Sequence, residues 1–138
     1  MILYLDTSTV LRVLPDQRPP LAGWGNWQAA YSSQLLGVEA RRALDRLRLA
    51  GALDDAGVAD AVGELGRIER TLGMVRLTRR ILDRAAQPMA TAVRTLDALH
   101  LASALALRER TPGDLLFATH DRRQALAARA LGFTCVGV

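Results

Sequence analysis

The sequence predicts an α/β fold, a three-layer α/β/α sandwich with a central parallel sheet and helices on both faces. Short apolar runs typical of buried strands alternate with longer segments in which apolar residues recur at helical spacing. One of these segments, 95–109, is apolar almost all round, which favours a helix buried against a sheet. Half of the 138 residues are apolar, enough for a packed core without disulfides. We therefore expect one domain over 1–138.

The predicted strands are short apolar runs that stop at a polar residue or a turn. The first meets Asp6 at once, and the fourth follows the turn Thr111-Pro112-Gly113. Continuous runs of this kind are typical of parallel strands that are covered on both faces. In chain order, the predicted strands are 1–5, 28–32, 74–77, 115–118 and 133–136.

The predicted helices carry apolar residues on one face and capping or breaking residues at their ends. Ser32 or Ser33 can cap the second helix, and Gly73 ends the third. Pro15 ends the first helix, and the stretch 16–27, rich in proline and glycine, is predicted to be a loop. In chain order, the predicted helices are 6–14, 33–50, 54–71, one from 78 towards 88, 95–109 and 120–131.

The charged residues are compatible with an acidic partner. Lys and Arg together number 18 against 14 acids, a net charge of +4, and every basic side chain is Arg. Arg forms bidentate contacts with phosphate, so a nucleic acid or an acidic protein is one explanation of this usage. Genomic base composition explains it equally well.

The sequence also gives expectations about the compartment. The single Cys135 cannot form an internal disulfide, which favours a reducing environment. The opening segment MILYL is too short for a signal peptide, and no apolar run reaches the roughly 18 residues that a membrane helix needs. We therefore expect a cytoplasmic protein without membrane contact.

Four acids stand where a metal site can form. Asp6 follows the first predicted strand, Asp121 follows the fourth, and Asp97 lies in the first turn of the buried helix. Ligands of open α/β sheets gather outside the carboxyl ends of the strands. Glu39 lies on the flank of its helix's apolar face, where a carboxylate reaches both the core edge and water. Converging carboxylates need a cation to offset their repulsion, and hard oxygen ligands suit Mg²⁺ or Mn²⁺.

Each acid also has a purely structural explanation. Asp6 can cap the first helix, and Asp97 and Asp121 can complement helix dipoles. Glu39 can be an ordinary solvated residue, and His100 is expected to be a satisfied core residue. The apolar surroundings of Asp97 favour a functional role, because an acid is costly to bury unless it is paired or metal-bound.

Four segments together resemble the PIN-domain family. They are LYLDTSTVL, SSQLLGVEARRAL with its isolated Glu39, RTLDALHLASAL and LLFATHDRRQALAARALGF. Within the family, the chain is most similar to the small VapC-type toxin ribonucleases of bacterial toxin–antitoxin pairs. The resemblance runs from Met1 to the C-terminus, and its last two segments are the most specific. The loop 15–27 and the helix 54–71 match the family only in length.

The resemblance implies a four-acid site that binds Mg²⁺ or Mn²⁺ and hydrolyses RNA. The matching residues here are Asp6, Glu39, Asp97 and Asp121. The three aspartates would be direct or water-mediated ligands, and the glutamate would bind the metal or orient the attacking water. Family members also place polar side chains near the first and last Asp, matched by Ser8 and Thr119, which would tune the ligand carboxylates.

The same resemblance implies partners. RNA is the implied substrate, and a small antitoxin protein is the implied binding partner. Arg122 and Arg123, directly after Asp121, are candidates for phosphate contacts or else lie on a solvated helix face. Toxins of this type pair through helices of their N-terminal half, so the apolar stripes on 33–50 and 54–71 are candidate faces of a two-fold homodimer.

Other enzyme classes fit this sequence less well. A haloacid-dehalogenase-type phosphatase needs a second Asp two residues after the first, where this chain has Ser8, and normally uses a Lys, which is absent. A response-regulator receiver domain fails on the same missing Lys. Two alternatives stay open: a housekeeping RNA-processing nuclease, and a non-catalytic module that keeps the fold and binds a partner.

Overall fold

The computed structural model describes residues 1–14 and 18–138 and confirms the predicted parallel sheet. The predicted helix end at Pro15 and the start of the predicted loop lie outside these ranges. The five strands found within them are β1 (Ile2–Leu5), β2 (Ala29–Ser33), β3 (Gly73–Val75), β4 (Leu115–Ala118) and β5 (Cys135–Val136). Their order is β3-β2-β1-β4-β5, with every neighbouring pair parallel. The strands β2 and β3 lie on one side of β1, and β4 and β5 lie on the other. The order therefore reverses between β1 and β4, and the carboxyl ends of these two strands form a topological switch point.

Helices cover both faces of the sheet. Those in the described ranges are α1 (Thr7–Leu11), α2 (Leu35–Leu49), α3 (Asp55–Thr71), α4 (Arg79–Ala85), α5 (Thr95–Arg110) and α6 (Arg122–Ala130). None of these described helices is long and apolar enough to cross a membrane. One face of the sheet packs against α1, α2 and α3, and the other packs against α5 and α6.

The alternation of side chains along β1 divides the core into two clusters. Leu3 and Leu5 point to the face covered by α1, α2 and α3, whereas Tyr4 points to the opposite face. There Tyr4 stacks on Phe117 of β4 at a ring-centroid distance of 5.4 Å. All four side chains are buried. Since a large apolar side chain contributes roughly 1.5–3 kcal/mol on leaving water, burial on both faces holds the sheet between its helices.

The junction between β2 and α2 differs from the prediction. The sequence predicts a helix from Ser33, but β2 runs through Ser33 and α2 begins at Leu35. Ser33 pairs with Val75 of β3, and its hydroxyl accepts a hydrogen bond from the Leu35 amide. Pairing with a distant strand therefore sets this boundary. In α1, the last helical residue is Leu11, also earlier than predicted.

Gly73 has a different role from the one predicted. It does not end the third helix: α3 ends at Thr71, Leu72 follows in an extended conformation, and Gly73 opens β3. Gly73 lies opposite Tyr31 of β2, and a Cβ atom at this position would overlap the tyrosine ring. A glycine is required here because the aromatic ring of the neighbouring strand occupies the space of a side chain.

Replacing Gly73 with Ala is expected to lower the free energy of unfolding by about 1–3 kcal/mol, as overpacking of a well-filled site does. The control is Gly63→Ala in α3, where an added Cβ meets no atom within 4 Å. That substitution is expected to stabilise by roughly 0.5–1 kcal/mol, because glycine inside a helix costs conformational entropy. Urea denaturation measures both. Equal effects of the two substitutions would mean that the Tyr31 ring does not restrict this position.

Candidate metal centre at the sheet edge

Two of the candidate aspartates lie at the carboxyl ends of neighbouring strands. Asp6 directly follows β1, and its amide donates to the Ala118 carbonyl at the end of β4 over 2.9 Å. Asp121 follows β4 after Thr119 and His120, and it precedes α6. Because β1 and β4 are adjacent and parallel, both aspartates lie at the switch point, where ligands of open α/β sheets gather.

The side chain of Asp6 is buried and is held by two hydroxyl groups. Its Oδ2 accepts hydrogen bonds from Ser8 over 2.9 Å and from Thr119 over 2.7 Å. The capping explanation does not apply to this side chain, which makes no capping hydrogen bond to α1. Its other oxygen, Oδ1, lies 3.8 Å from Nε2 of His100. The hydroxyls therefore orient the carboxylate through one oxygen and leave Oδ1 without a hydroxyl donor from the described residues.

Asp121 combines a capping role with a position at the site. Its Oδ1 accepts from the amides of Arg123 over 2.8 Å and Gln124 over 3.3 Å, so it does cap α6. Its Oδ2 lies 4.0 Å from the Arg94 guanidinium, and its side chain is 33% exposed. One oxygen is thus used by the helix, and the other remains near solvent.

Asp97, in the first turn of α5, shares an arginine with Asp121. The Arg94 guanidinium lies 3.5 Å from Oδ2 of Asp97 and 4.0 Å from Oδ2 of Asp121. Burial raises the pKa of Asp97, Arg94 lowers it, and the charge of Asp6 adds to the net increase. A further positive charge near Asp97 would therefore stabilise the ionised form of its carboxylate.

Glu39 belongs to a hydrogen-bond network that reaches the interior. Its Oε1 accepts from the Thr7 hydroxyl over 2.9 Å and lies 2.6 Å from Nε2 of His100. Burial on its own raises the pKa of Glu39, but the hydrogen bond and charge of His100 and the hydrogen bond from Thr7 outweigh it, so the pKa is lowered. Glu39 is therefore an ionised, oriented carboxylate and not an ordinary solvated helix residue.

His100 connects this network to the core. The ring is 1% exposed. Its Nδ1 lies 2.7 Å from the Tyr4 hydroxyl, so both nitrogens are satisfied. Burial alone lowers the pKa of His100, but the hydrogen bond to Glu39 and the charges of Asp6, Glu39 and Asp97 raise it overall. Nε2 donates to Glu39 in either protonation state: a neutral ring accepts from Tyr4 at Nδ1, and a charged ring donates to it.

The structure brings the four acids together as two pairs. Asp6 and Glu39 flank His100, and Asp97 and Asp121 flank Arg94. In residues 1–14 and 18–138, no three His, Cys, Asp or Glu side chains lie close enough together to hold one metal ion. The four carboxylates at this sheet edge supply oxygen ligands, which is the ligand type that a hard divalent cation prefers. A cation shared by the three aspartates requires their side chains to move towards one another.

Sequence reasoning did not identify three residues of this site. Arg94 stands three residues before Asp97, the spacing of an ion pair across a helix start. Thr7 follows Asp6 directly and contacts Glu39. Gln124 is buried in α6, where a polar residue interrupts an apolar face, and its side chain donates to the Asp97 carbonyl over 3.1 Å. The spacing of Arg94 and the buried position of Gln124 were the available signals.

The two candidate RNA-contacting arginines differ in their surroundings. Arg122 lines a cleft together with Asp121, whereas Arg123 is exposed on the same helix and does not line it. His120 lines the same cleft and donates from Nδ1 to the Gly137 carbonyl over 2.7 Å. Burial lowers the pKa of His120 despite this hydrogen bond, so the ring is neutral near pH 7.

Two solved structures share this fold. A chain of the FitAB complex bound to an IR36 DNA fragment aligns with a TM-score of 0.69 at 15% identity, covering 98% of this chain and 93% of that one. A chain of the crystal structure of FitAcB from Neisseria gonorrhoeae aligns with a TM-score of 0.67 at 18% identity, covering 99% and 96%. At these identities the likeness concerns the fold alone.

The sequence comparisons are more specific. Ribonuclease VapC45 of Mycobacterium tuberculosis (strain CDC 1551 / Oshkosh) is 34% identical over 135 residues, 95% of this chain and 92% of the relative. Ribonuclease VapC49 of Mycobacterium tuberculosis (strain ATCC 25618 / H37Rv) matches to the same extent. The family model described as "PIN domain" matches residues 3–130. The chain therefore belongs to the PIN-domain family.

Proposed function

We propose that this chain is a Mg²⁺- or Mn²⁺-dependent endoribonuclease and the toxin of a type II toxin–antitoxin pair. The observation that supports this function is a group of carboxylates at the switch point of the sheet, in a chain 34% identical to relatives named ribonucleases. The reaction is hydrolysis of RNA phosphodiester bonds. Its site of action is the cytoplasm, and its partner is a small antitoxin protein.

The aspartates hold the cation in this proposal. Asp6, Asp97 and Asp121 bind it directly or through water, and Glu39 either binds it or orients the attacking water. When bound, such an ion lowers the pKa of a coordinated water and offsets charge on the leaving oxygen. The oxygens available for it are Oδ1 of Asp6 and Oδ2 of Asp121, since the opposite oxygens are held by hydroxyls and by backbone amides.

The surrounding side chains keep these carboxylates oriented. Ser8 and Thr119 hold Asp6, and His100 holds Glu39 in its ionised form. Groups in such supporting positions commonly change metal affinity or activity roughly 10- to 100-fold when they are removed. The arginines after the site, Arg122 and Arg123, supply positive charge for RNA phosphates.

Cleavage of end-labelled RNA by the purified chain tests the function. We expect fragments in Mg²⁺ or Mn²⁺ and intact RNA in chelator, because the carboxylates alone supply no Lewis acid. Intact RNA in both conditions, over a range of RNA substrates, would overturn the proposal. A small open reading frame for an antitoxin directly upstream of the gene distinguishes a toxin from a housekeeping nuclease.

Divalent cation is expected to raise the melting temperature of the wild-type chain. A ligand that binds only the folded state stabilises it, by about 2.7 kcal/mol at a concentration one hundred times its Kd. Thermal melts in chelator and in Mg²⁺ at pH 7 measure the shift, and an Asp6→Asn, Asp97→Asn double variant should show much less of it. Coincident wild-type melts would argue against a metal site and favour the non-catalytic binding module.

A two-fold homodimer remains part of the proposal, but its predicted faces need correction. The apolar stripes on α2 and α3, represented by Leu36 and Leu65, are buried in the core of the chain itself. Exposed apolar side chains on these helices are Val38, Leu49 and Val62. We expect light scattering at micromolar concentration to give the dimer mass. A monomer mass under those conditions would exclude a stable homodimer.

A further inference from the structure

A cleft next to the candidate metal centre is lined by arginines from separate segments of the chain. Its volume is about 550 Å³, within the range of pockets that take one small molecule. The cleft is lined by Leu11, Arg12, Arg18, Leu47, His120 and Arg122. We call this the arginine cleft. Ser8 and Asp121 also line it, so the arginine cleft is continuous with the candidate metal centre.

The positive charge of the arginine cleft exceeds its negative charge, because Arg12, Arg18 and Arg122 line it with one carboxylate, that of Asp121. Arg12, Arg18 and Arg122 form no ion pair with any acid of residues 1–14 and 18–138. Three like charges around one concave space repel one another, and an anion bound between them removes this cost.

The apolar part of the wall limits the kind of anion. Leu11 and Leu47 line the same space as the arginines, so the arginine cleft offers apolar surface beside its positive charge. A nucleotide unit has both parts, a phosphate for guanidinium groups and a sugar and base face for leucines. An inorganic anion would use only the charged part.

We propose that the arginine cleft is a subsite for single-stranded RNA, which holds a phosphate and nucleoside next to the bond that is cut. Arg12, which follows α1, and Arg122, the first residue of α6, both contact the phosphate, although they come from the first and last thirds of the chain. Because Ser8 and Asp121 belong to both sites, a strand seated in the arginine cleft passes directly to the carboxylates. This inference rests on the proposed function, since it names where that substrate binds.

Salt dependence of RNA binding tests the subsite without any cleavage. The probe is a short fluorescein-labelled oligouridylate in chelator, followed by anisotropy at several KCl concentrations. Each phosphate contact that is lost should reduce the slope of log K against log salt by about 0.7 for a single strand. We expect this reduction in Arg12→Gln and in Arg122→Gln, and about twice as much in the double variant. Circular dichroism and thermal melts confirm that each variant is folded.

The matched control is Arg110→Gln. Arg110 is exposed at the last position of α5, and the rise of a helix places it roughly 20 Å along the axis from Asp97 in the first turn. The same charge is removed, but the salt slope should stay that of the wild type.

The outcomes separate this inference from the proposed function. Wild-type cleavage in Mg²⁺ with equal salt slopes in all variants overturns the subsite and leaves the nuclease in place. A slope that depends on Arg12 and Arg122 in a chain that never cleaves RNA keeps RNA binding in the arginine cleft and overturns the nuclease. Equal slopes for RNA, together with weaker binding of polyglutamate by Arg12→Gln and Arg122→Gln, would assign the arginine cleft to an acidic protein segment instead.

Discussion

Replacing Asp97 with Asn is expected to abolish RNA cleavage by this chain, and with it any growth arrest on expression, while the fold survives. Asn keeps the shape of the side chain but removes the charge that holds a cation. We expect kcat/KM to fall on the order of 100-fold or more, because loss of a group that merely supports a metal ligand already costs roughly 10- to 100-fold. Initial rates on labelled RNA in Mg²⁺, and growth curves at matched expression, measure the effect. Asp6→Asn should behave in the same way.

The control for this experiment is Asp60→Asn, which removes the same charge from an exposed position on α3 and should leave cleavage unchanged. In chelator, Asp97→Asn should melt at least as high as the wild type, because burial and the charge of Asp6 disfavour an ionised group at this position. Equal RNA cleavage and equal toxicity from Asp97→Asn would mean that metal-assisted hydrolysis is not how this protein acts. The non-catalytic binding module would then take its place.

At His100, two similar substitutions are expected to have very different effects on activity. In His100→Gln, the side-chain amide nitrogen takes the place of Nε2, so the hydrogen bond to Glu39 is kept and the one to Tyr4 is lost. In His100→Asn, the side chain reaches only the position of Nδ1, so Tyr4 keeps a partner and Glu39 keeps only the Thr7 hydroxyl as a donor. We expect kcat/KM to fall roughly 10- to 100-fold in the Asn variant and much less in the Gln variant.

Stability measurements show whether the difference in activity between the two variants is caused by a difference in folding. Each substitution removes one hydrogen bond, that of the buried Tyr4 hydroxyl or that of the half-buried Glu39 carboxylate, at a cost of about 1–3 kcal/mol. The two variants should therefore unfold at similar urea concentrations. The decrease should appear in kcat more than in KM, because Glu39 is proposed to act at the metal or on the attacking water and not on the bulk of the RNA. Equal activity of the Gln and Asn variants at equal stability would contradict a positioning role for His100 and leave it a core residue.

Local chemistry determined which residues reach the edge of the sheet. Continuous apolar runs predicted β1 and β4, and the polar residues that end such runs must follow the carboxyl ends of the strands, as Asp6 and Asp121 do. The apolar residues almost all round 95–109 likewise predicted α5 and put Asp97 in its first turn. These predictions succeeded because the pattern of apolar residues within a segment indicates how that segment is buried.

Tertiary structure decided which side chains meet, because contacts between distant segments depend on how the elements pack and not on their own sequence. Glu39 and His100 are 61 positions apart, and only the packing of α2 and α5 around β1 brings the carboxylate within 2.6 Å of the ring. For the same reason, Gly73 is required by the Tyr31 ring of a neighbouring strand and not by the helix that precedes it. The fold class and the four candidate acids follow from the amino-acid sequence alone. The pair around His100 forms because α2 and α5, from opposite faces of the sheet, meet at one edge. The pair around Arg94 forms because α5 and α6 begin close together on the same face.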